Sequence, residues 1–284
     1  MSKLTFSPVE EQETDFNYKK YFNECFVDIS EDIPFPPVAL SIGKTDYKGK
    51  MYDNPTFTYG EISLIKAKKK SKKTFLKTAL AACYIGGQAS IHFPEIKSRR
   101  EGDKYVFDFD TEQGPYYSVK AFRRVMEMTG ANYDNYMPFG IERISDKAHR
   151  LEFIDHIVSD PKYKGKIGML IIDHIADLVR NPNDVIETDK AIQYLMKWKR
   201  EGMHILCIIH TRSEDNKARG HLGTFIEEKC ETVILVERTD PTVKNDPVRV
   251  TQPDARGPEF DEFHFKLNND VIPYECDIKE EEKW

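Results

Sequence analysis

Lysines and a threonine meet in the segment 61–80, EISLIKAKKKSKKTFLKTAL, in an order that suits phosphate capture. Successive backbone N–H groups of a tight turn converge on one point, and the helix that follows adds its positive N-terminal end, so an anion is favoured there. A lysine at the helix start then reaches terminal phosphates, and a neighbouring hydroxyl ligates Mg²⁺. Lys73 and Thr74 suit those roles. The turn is usually written G-x-x-x-x-G-K-[ST]. Here the spacing is kept as Ala67-x4-Lys72-Lys73-Thr74, with both glycines missing. The cradle would consist of Ala67, Lys68, Lys69, Lys70, Ser71, Lys72, Lys73, Thr74 and Phe75. Glycine serves where such a loop needs φ > 0 or close backbone approach. Ala67 and Lys72 must meet those constraints or bend the loop differently, and the extra lysines add positive charge. The alternative is a solvated lysine turn between strand and helix.

The elements around this turn have a clear order. Residues 104–113 read KYVFDFDTEQ, 167–178 read IGMLIIDHIADL and 203–211 read MHILCIIHT. Continuous apolar runs of this kind, rich in β-branched residues, suit parallel strands covered on both faces. Helical stretches fall between them, at about 74–87, 116–129, 145–159 and 187–201. This alternation predicts an α/β fold with a mostly parallel, doubly wound sheet. Ligands of such sheets bind beyond the carboxyl ends of the strands. Lys73, Glu112, Asp173 and His210 all stand at or just after strand ends.

With these motifs in order, the chain resembles the RecA-like P-loop ATPases. Within them it is most similar to the branch of RepA-type hexameric plasmid helicases and the AAA-family ATPases of bacterial mobile elements. The resemblance spans roughly residues 35–270. It is carried by AKKKSKKT as a degenerate Walker A motif, FDTEQ, LIIDHIADL as Walker B, and HTRSEDNKARGHLGT. It implies ATP and Mg²⁺ as cofactors, assembly into a ring or filament (a hexamer in the helicase branch), single-stranded DNA as partner, and a DNA-directed ATPase activity.

Roles follow residue by residue. Glu112 stands where the family keeps the carboxylate that orients the attacking water, a task for a hydrogen-bond acceptor; otherwise it is an exposed strand-end glutamate. Asp110 shares its strand's alternation and lines the same face. Asp173 matches the Walker B aspartate, which with Thr74 would hold Mg²⁺; its other reading is a helix N-cap. Asp177, four residues on, suits a structural role. His210 and Thr211 end the fourth strand, where the family places a γ-phosphate sensor; a satisfied structural histidine is the other reading. Cys207 is three residues before His210, on the opposite strand face, so the two do not form a metal pair.

The stretch 212–223, RSEDNKARGHLG, is polar and reads as an exposed loop. In RecA-like proteins the corresponding loop faces the channel of the oligomer, which makes Lys217, Arg219 and His221 the candidate contacts to nucleic acid phosphates. Alternatively the loop closes over nucleotide, with Arg219 or Lys229 reaching a neighbour's γ-phosphate as an arginine-finger-type cation. A solvated surface loop is the third reading. Arg256, in QPDARGPEF, is a further finger candidate.

Composition bounds the rest. The 284 residues carry net charge −6, so binding to polyanions must come from a local patch such as Lys66–Lys77 or from a channel formed on assembly. The five cysteines are scattered, as expected of reduced thiols in a cytoplasmic protein. The first residues lack the apolar core of a signal peptide, and no apolar run is long enough to span a membrane. Pro34, Pro36 and Pro37 mark a boundary between an N-terminal extension, 1–34, suited to an oligomer contact, and the core, 35–284. VALSIG should enter the core as a strand, 44–60 as a loop or hairpin, and ETVILVER and DEFHFKL as antiparallel additions around a turn-rich segment with a short strand. Besides a DNA-directed ATPase, these features allow a nucleotide-binding regulator or scaffold that hydrolyses weakly for want of loop glycines, and, less well, a small-molecule kinase.

Overall fold

The computed structural model describes residues 17–32, 34–211, 216–218 and 220–277. The chain separates into a short unit, Met1–Phe35, and a large one, Pro36–Trp284. In the short unit, Asn17 caps helix α1 (Tyr18–Cys25) by accepting the Lys20 N–H at 3.0 Å. Tyr18, Phe22 and Phe26 stack along one side of it, with ring centroids 5.8 and 5.9 Å apart.

In the large unit a hairpin of β1 (Val38–Tyr47) and β2 (Lys50–Thr58) pairs with β4 (Ile96–Ser98) to form a small sheet. The main sheet holds the phosphate-loop strand β3 (Ile62–Ala67), then β5 (Tyr105–Asp110), β6 (Tyr136–Gly140), β7 (Ile167–Asp173), β8 (His204–His210) and β9 (Thr232–Arg238). It ends in β10 (Val248–Ala255), β11 (Phe263–Leu267) and β12 (Pro273–Glu275). Its order is β12-β11-β10-β9-β3-β8-β7-β5-β6. Pairing is parallel from β9 through β6 and antiparallel from β9 out to β12. This is the α/β, doubly wound architecture with antiparallel C-terminal strands that the sequence predicts.

The central strands are apolar because both faces are covered. Helices α2 (Lys73–Ile85) and α3 (Pro115–Thr129) supply Leu76, Leu80, Phe122 and Val125 to one core. Helices α4 (Lys147–Val158), α5 (Val185–Lys199) and α6 (Gly220–Lys229) supply Leu151, Ile154, Leu195, Trp198 and Leu222 to the other. Helix starts are fixed locally. Pro115 opens α3 with its ring-fixed φ, and Asp184 caps α5 by accepting from the Ile186 and Glu187 N–H groups at 2.9 and 3.0 Å.

Several elements differ from the sequence reading, the short strands β4 and β12 among them. The segment 212–223 is not loop throughout: α6 begins at Gly220, with Leu222 and Gly223 buried. Glycines and a histidine read as loop, yet here the helix is secured by Leu222 and Ile226 packing on the core, which outweighs propensity. Strand β6 was not expected, since Pro138 and Gly140 break the strand signal; it survives because it is an edge, paired only with β5. Among the described residues, no helix is long and apolar enough to cross a membrane.

Candidate active site

Strand β3 ends at Ala67, which is fully buried and in register with His210 of β8. The Thr211 N–H donates to the Ala67 carbonyl at 2.9 Å and so ties the start of the loop to the end of β8. The chain then turns through Lys68–Lys72, with the Ser71 N–H donating to Lys68 O at 3.3 Å. Lys70 has φ 65° and Lys72 has φ 63°, ψ 23°. Lys72 occupies the position of the second motif glycine, so a lysine adopts the left-handed conformation that glycine normally supplies, at a cost of roughly 1–2 kcal/mol. Its ammonium donates to the Asp246 carbonyl at 3.3 Å, which anchors the turn to the connection after β9.

The lysine run is not one basic patch, contrary to expectation. Lys66 is buried against Glu227 at 2.8 Å, Lys73 and Lys77 are buried, and only Lys68, Lys69 and Lys70 are exposed. Each buried amine finds a carboxylate because an unpaired charge in the interior is too costly.

The predicted site residues come together at the carboxyl edge of the sheet. Lys73 Nζ lies 2.8 Å from Asp173 Oδ1 and 3.3 Å from Glu112 Oε2. Thr74 donates its hydroxyl to Asp173 Oδ2 at 3.4 Å. His210 Nε2 lies 3.4 Å from Glu112 Oε1. Three chain segments thus meet at one ammonium, and a fourth, through His210, joins them by way of Glu112. The His210 hydrogen bond, aided by the Lys73 charge, outweighs burial and brings Glu112 down to about 2. Burial alone would raise Asp173, but Lys73 and Lys77 overcome it and hold that carboxyl at about 2. Lys73 is likewise opposed by burial, and Asp173 and Glu112 outweigh it, raising its pKa.

Several partners were not foreseen. Lys77, one turn after Lys73, is fully buried; it donates to both Asp108 oxygens at 3.0 Å and lies 3.9 Å from Asp173 Oδ2. Tyr136 donates its hydroxyl to Asp108 at 2.8 Å. A signal was available: Lys77 and Asp108 are lone opposite charges inside otherwise apolar elements, where each must be paired. Asp110 does more than line a face. It accepts the Glu112 and Gln113 N–H groups at 3.0 and 2.9 Å and the Ser118 hydroxyl at 2.8 Å, which shapes the turn presenting Glu112. Asp177 faces His174 Nδ1 at 3.6 Å and accepts from Lys147 at 2.8 Å. His174 in turn accepts the His210 N–H on Nε2 at 3.0 Å, so it carries its proton on Nδ1 and braces the end of β8.

An open cleft of about 550 Å³ begins at the loop and runs past Glu112 and His210 to Tyr117, Lys120 and Arg124. Arg124 stacks over Phe75 with its guanidinium carbon 4.1 Å from the ring centroid and donates to Val271 O at 3.1 Å, which walls the far end. Cleft, helix N-terminus and Lys73 together suit a polyphosphate. The hydroxyl–carboxylate pair Thr74–Asp173 suits Mg²⁺, which takes one or two protein oxygens and completes its shell with phosphate and water. Among the described residues no cluster of three or more His, Cys, Asp or Glu side chains suits a metal, so a cage made by protein alone is not what this pair resembles.

The remaining candidates are dispersed. Lys217 is exposed between β8 and α6, and His221 is exposed in the first turn of α6, not on a loop. Arg219 lies outside the described residues. Lys229 and Arg256 are at the opposite edge of the sheet: Arg256 donates to Lys229 O at 3.2 Å and lies 3.6 Å from Glu61, just before β3. Neither approaches the Lys73 site of its own chain.

No family model and no curated protein matches the sequence. Among solved structures, the flagellar accessory protein FlaH from Methanocaldococcus jannaschii is similar, with TM-score 0.52 and 12% identity over 79% of this chain and 92% of that one. At that identity the likeness shows the fold alone, the RecA-like α/β fold expected from the motifs.

Proposed function

We propose that the protein binds ATP with Mg²⁺ and hydrolyses it, and that turnover is coupled to single-stranded DNA through a self-assembled ring or filament. The observation that carries the nucleotide reading is the meeting of Lys73, Thr74, Glu112 and Asp173 at the N-terminus of α2, beside an open cleft. Lys73 would leave the carboxylates for the β- and γ-phosphates. Thr74 and Asp173 would hold Mg²⁺, which supplies charge neutralisation on the phosphate oxygens. Glu112, then relieved of Lys73, accepts a hydrogen bond from the attacking water and orients it. His210 bonds Glu112 on one side and leads directly into residues 211–220 on the other, so it can report the state of the site to that segment.

The DNA reading rests on this connection. Lys217, Arg219 and His221 follow His210 closely in the chain and would contact phosphates with little sequence preference. Arg219, Lys229 and Arg256 remain the candidates for a cation supplied in trans.

The test is steady-state ATP hydrolysis by the purified chain, with and without single-stranded DNA. DNA-stimulated turnover is the expected result. Turnover indifferent to DNA would remove the DNA reading and leave the ATPase. ATP binding without turnover under either condition would favour the regulatory scaffold.

A further inference from the structure

Among the described residues, Lys77 is the cation of the site that faces neither solvent nor cleft. It is fully buried, its ammonium is 3.0 Å from each Asp108 oxygen, and Tyr136 fixes Asp108 from the other side at 2.8 Å. The same ammonium is 3.9 Å from Asp173 Oδ2, the oxygen that Thr74 also approaches at 3.4 Å. Asp173 therefore has two cationic neighbours of different kinds. Lys73 sits on the first turn of α2 at the cleft wall and is the group that must leave when phosphates arrive. Lys77, one turn deeper and clamped by Asp108, has nowhere to go.

We propose that Lys77 is a positioning residue: a fixed counter-ion that holds the Asp173 carboxylate in place for Mg²⁺ after Lys73 has moved to phosphate. This rests on the nucleotide reading given above. Without Lys77, departure of Lys73 would leave Asp173, itself 1% exposed, with no lysine or arginine at ion-pair distance among the described residues. Its carboxylate would then be free to turn away from Thr74. The Asp108–Lys77 pair is thus not a surplus buried ion pair. Asp108 and Tyr136 set the ammonium, and the ammonium sets the oxygen that faces the metal. Lys77 touches neither phosphate nor metal, so its effect should appear only in the Mg²⁺-dependent part of nucleotide affinity.

The test compares the native full-length chain with Lys77→Met/Asp108→Asn, which removes both charges together so that neither is left unpaired. A fluorescent ATP analogue is bound first in EDTA and then across a magnesium chloride titration, with thermal melts to follow folding. The expected result is affinity in EDTA within threefold of native and a Mg²⁺ midpoint at least tenfold higher. Lys77→Gln, which keeps a donor to Asp108 but no charge, should show the same shift and serves if the double variant does not fold. An unmoved Mg²⁺ midpoint in a folded variant overturns the inference, as does an equal loss of affinity with and without Mg²⁺. If neither variant folds, the pair belongs to stability and the inference falls. Failure of the native chain to bind the analogue at all would instead overturn the nucleotide reading, and this inference with it.

Discussion

Lys73 and Asp173 are one hundred residues apart in sequence and 2.8 Å apart in space. Lys73 opens α2 after β3, and β3 does not neighbour β7: β8 lies between them, and its last residue, His210, bonds the third member of the group, Glu112. Interposing β8 widens the gap between the loop and β7 to two strand spacings, and the Lys73 side chain spans it to reach the carboxylate. The ammonium is satisfied there by Asp173 and Glu112 together.

Replacing Lys73 should therefore have two effects. On the proposed nucleotide reading Lys73→Ala removes a phosphate ligand, so any rise in melting temperature on adding ATP to the native chain should disappear and turnover should drop to background. The same change leaves Lys77, 3.9 Å away, as the ion-pair partner of Asp173 among the described residues. Breaking a buried pair on one side costs about 3–5 kcal/mol, and with Lys77 still present the low end applies. Urea unfolding without nucleotide measures this directly, and a variant as stable as the native chain would contradict the pairing.

Glu112→Gln separates chemistry from binding. The amide keeps the shape and the contact to His210 but loses the charge proposed to orient water. Turnover should fall by about 100-fold or more while ATP affinity stays within about threefold, the behaviour of a lost general base. Unchanged turnover would remove Glu112 from its role.

Much of this site is legible in the sequence, and the reason is physical. Strand ends in a parallel sheet converge on one edge, so ordering the apolar runs that end in Lys73, Glu112, Asp173 and His210 was enough to bring them together. What escaped was whatever depends on how side chains pack across the sheet. Lys77 and Asp108 form a pair only because α2 crosses β5 there. Leu222 makes a helix of a polar stretch because it is buried. Arg124 meets Val271 only because the turn between β11 and β12 reaches α3. The motif asks for a left-handed residue at position 72, and the chain supplies one without glycine.

Close approach elsewhere in the sheet makes one glycine indispensable. Gly168 lies in β7, and a Cβ built there would overlap the Tyr84 hydroxyl and stand 2.9 Å from Lys104 Cβ. That hydroxyl is buried and shares a 2.7 Å hydrogen bond with Tyr59, so it has little room to withdraw. Gly168→Ala should destabilise the chain by about 1–3 kcal/mol, as overpacking does. Gly140→Ala, where the nearest atom is 4.0 Å away, should change stability by no more than about 0.5 kcal/mol. Equal urea midpoints for the two variants would contradict the packing described for β7.

The edge of the sheet away from the site carries an opposed pair of titrations. Glu231 is buried and accepts from the Thr58 N–H and hydroxyl at 2.7 and 2.6 Å; burial, against those bonds, pushes it up to about 7. His204 stacks on Phe57, lies 3.5 Å from Glu231, and is brought down to about 4 by burial. Both are neutral in the folded chain near pH 5.5. A carboxyl raised on folding contributes stability that is complete below its unfolded value near 4.5 and lost as pH rises through 7, in total about 3 kcal/mol. A histidine lowered on folding does the reverse: its contribution is complete above its unfolded value near 6.5 and lost as pH falls through 4. Between about 4.5 and 6.5 the two slopes cancel, and above 6.5 only the loss from Glu231 remains. Glu231→Gln keeps an acceptor for the Thr58 N–H and a donor for its hydroxyl while removing the titration. The variant should equal the native chain near pH 4.5 and exceed it by about 3 kcal/mol at pH 8. Urea unfolding of both chains at those two pH values decides it: a difference that does not change with pH would mean that Glu231 is ionised in the folded protein.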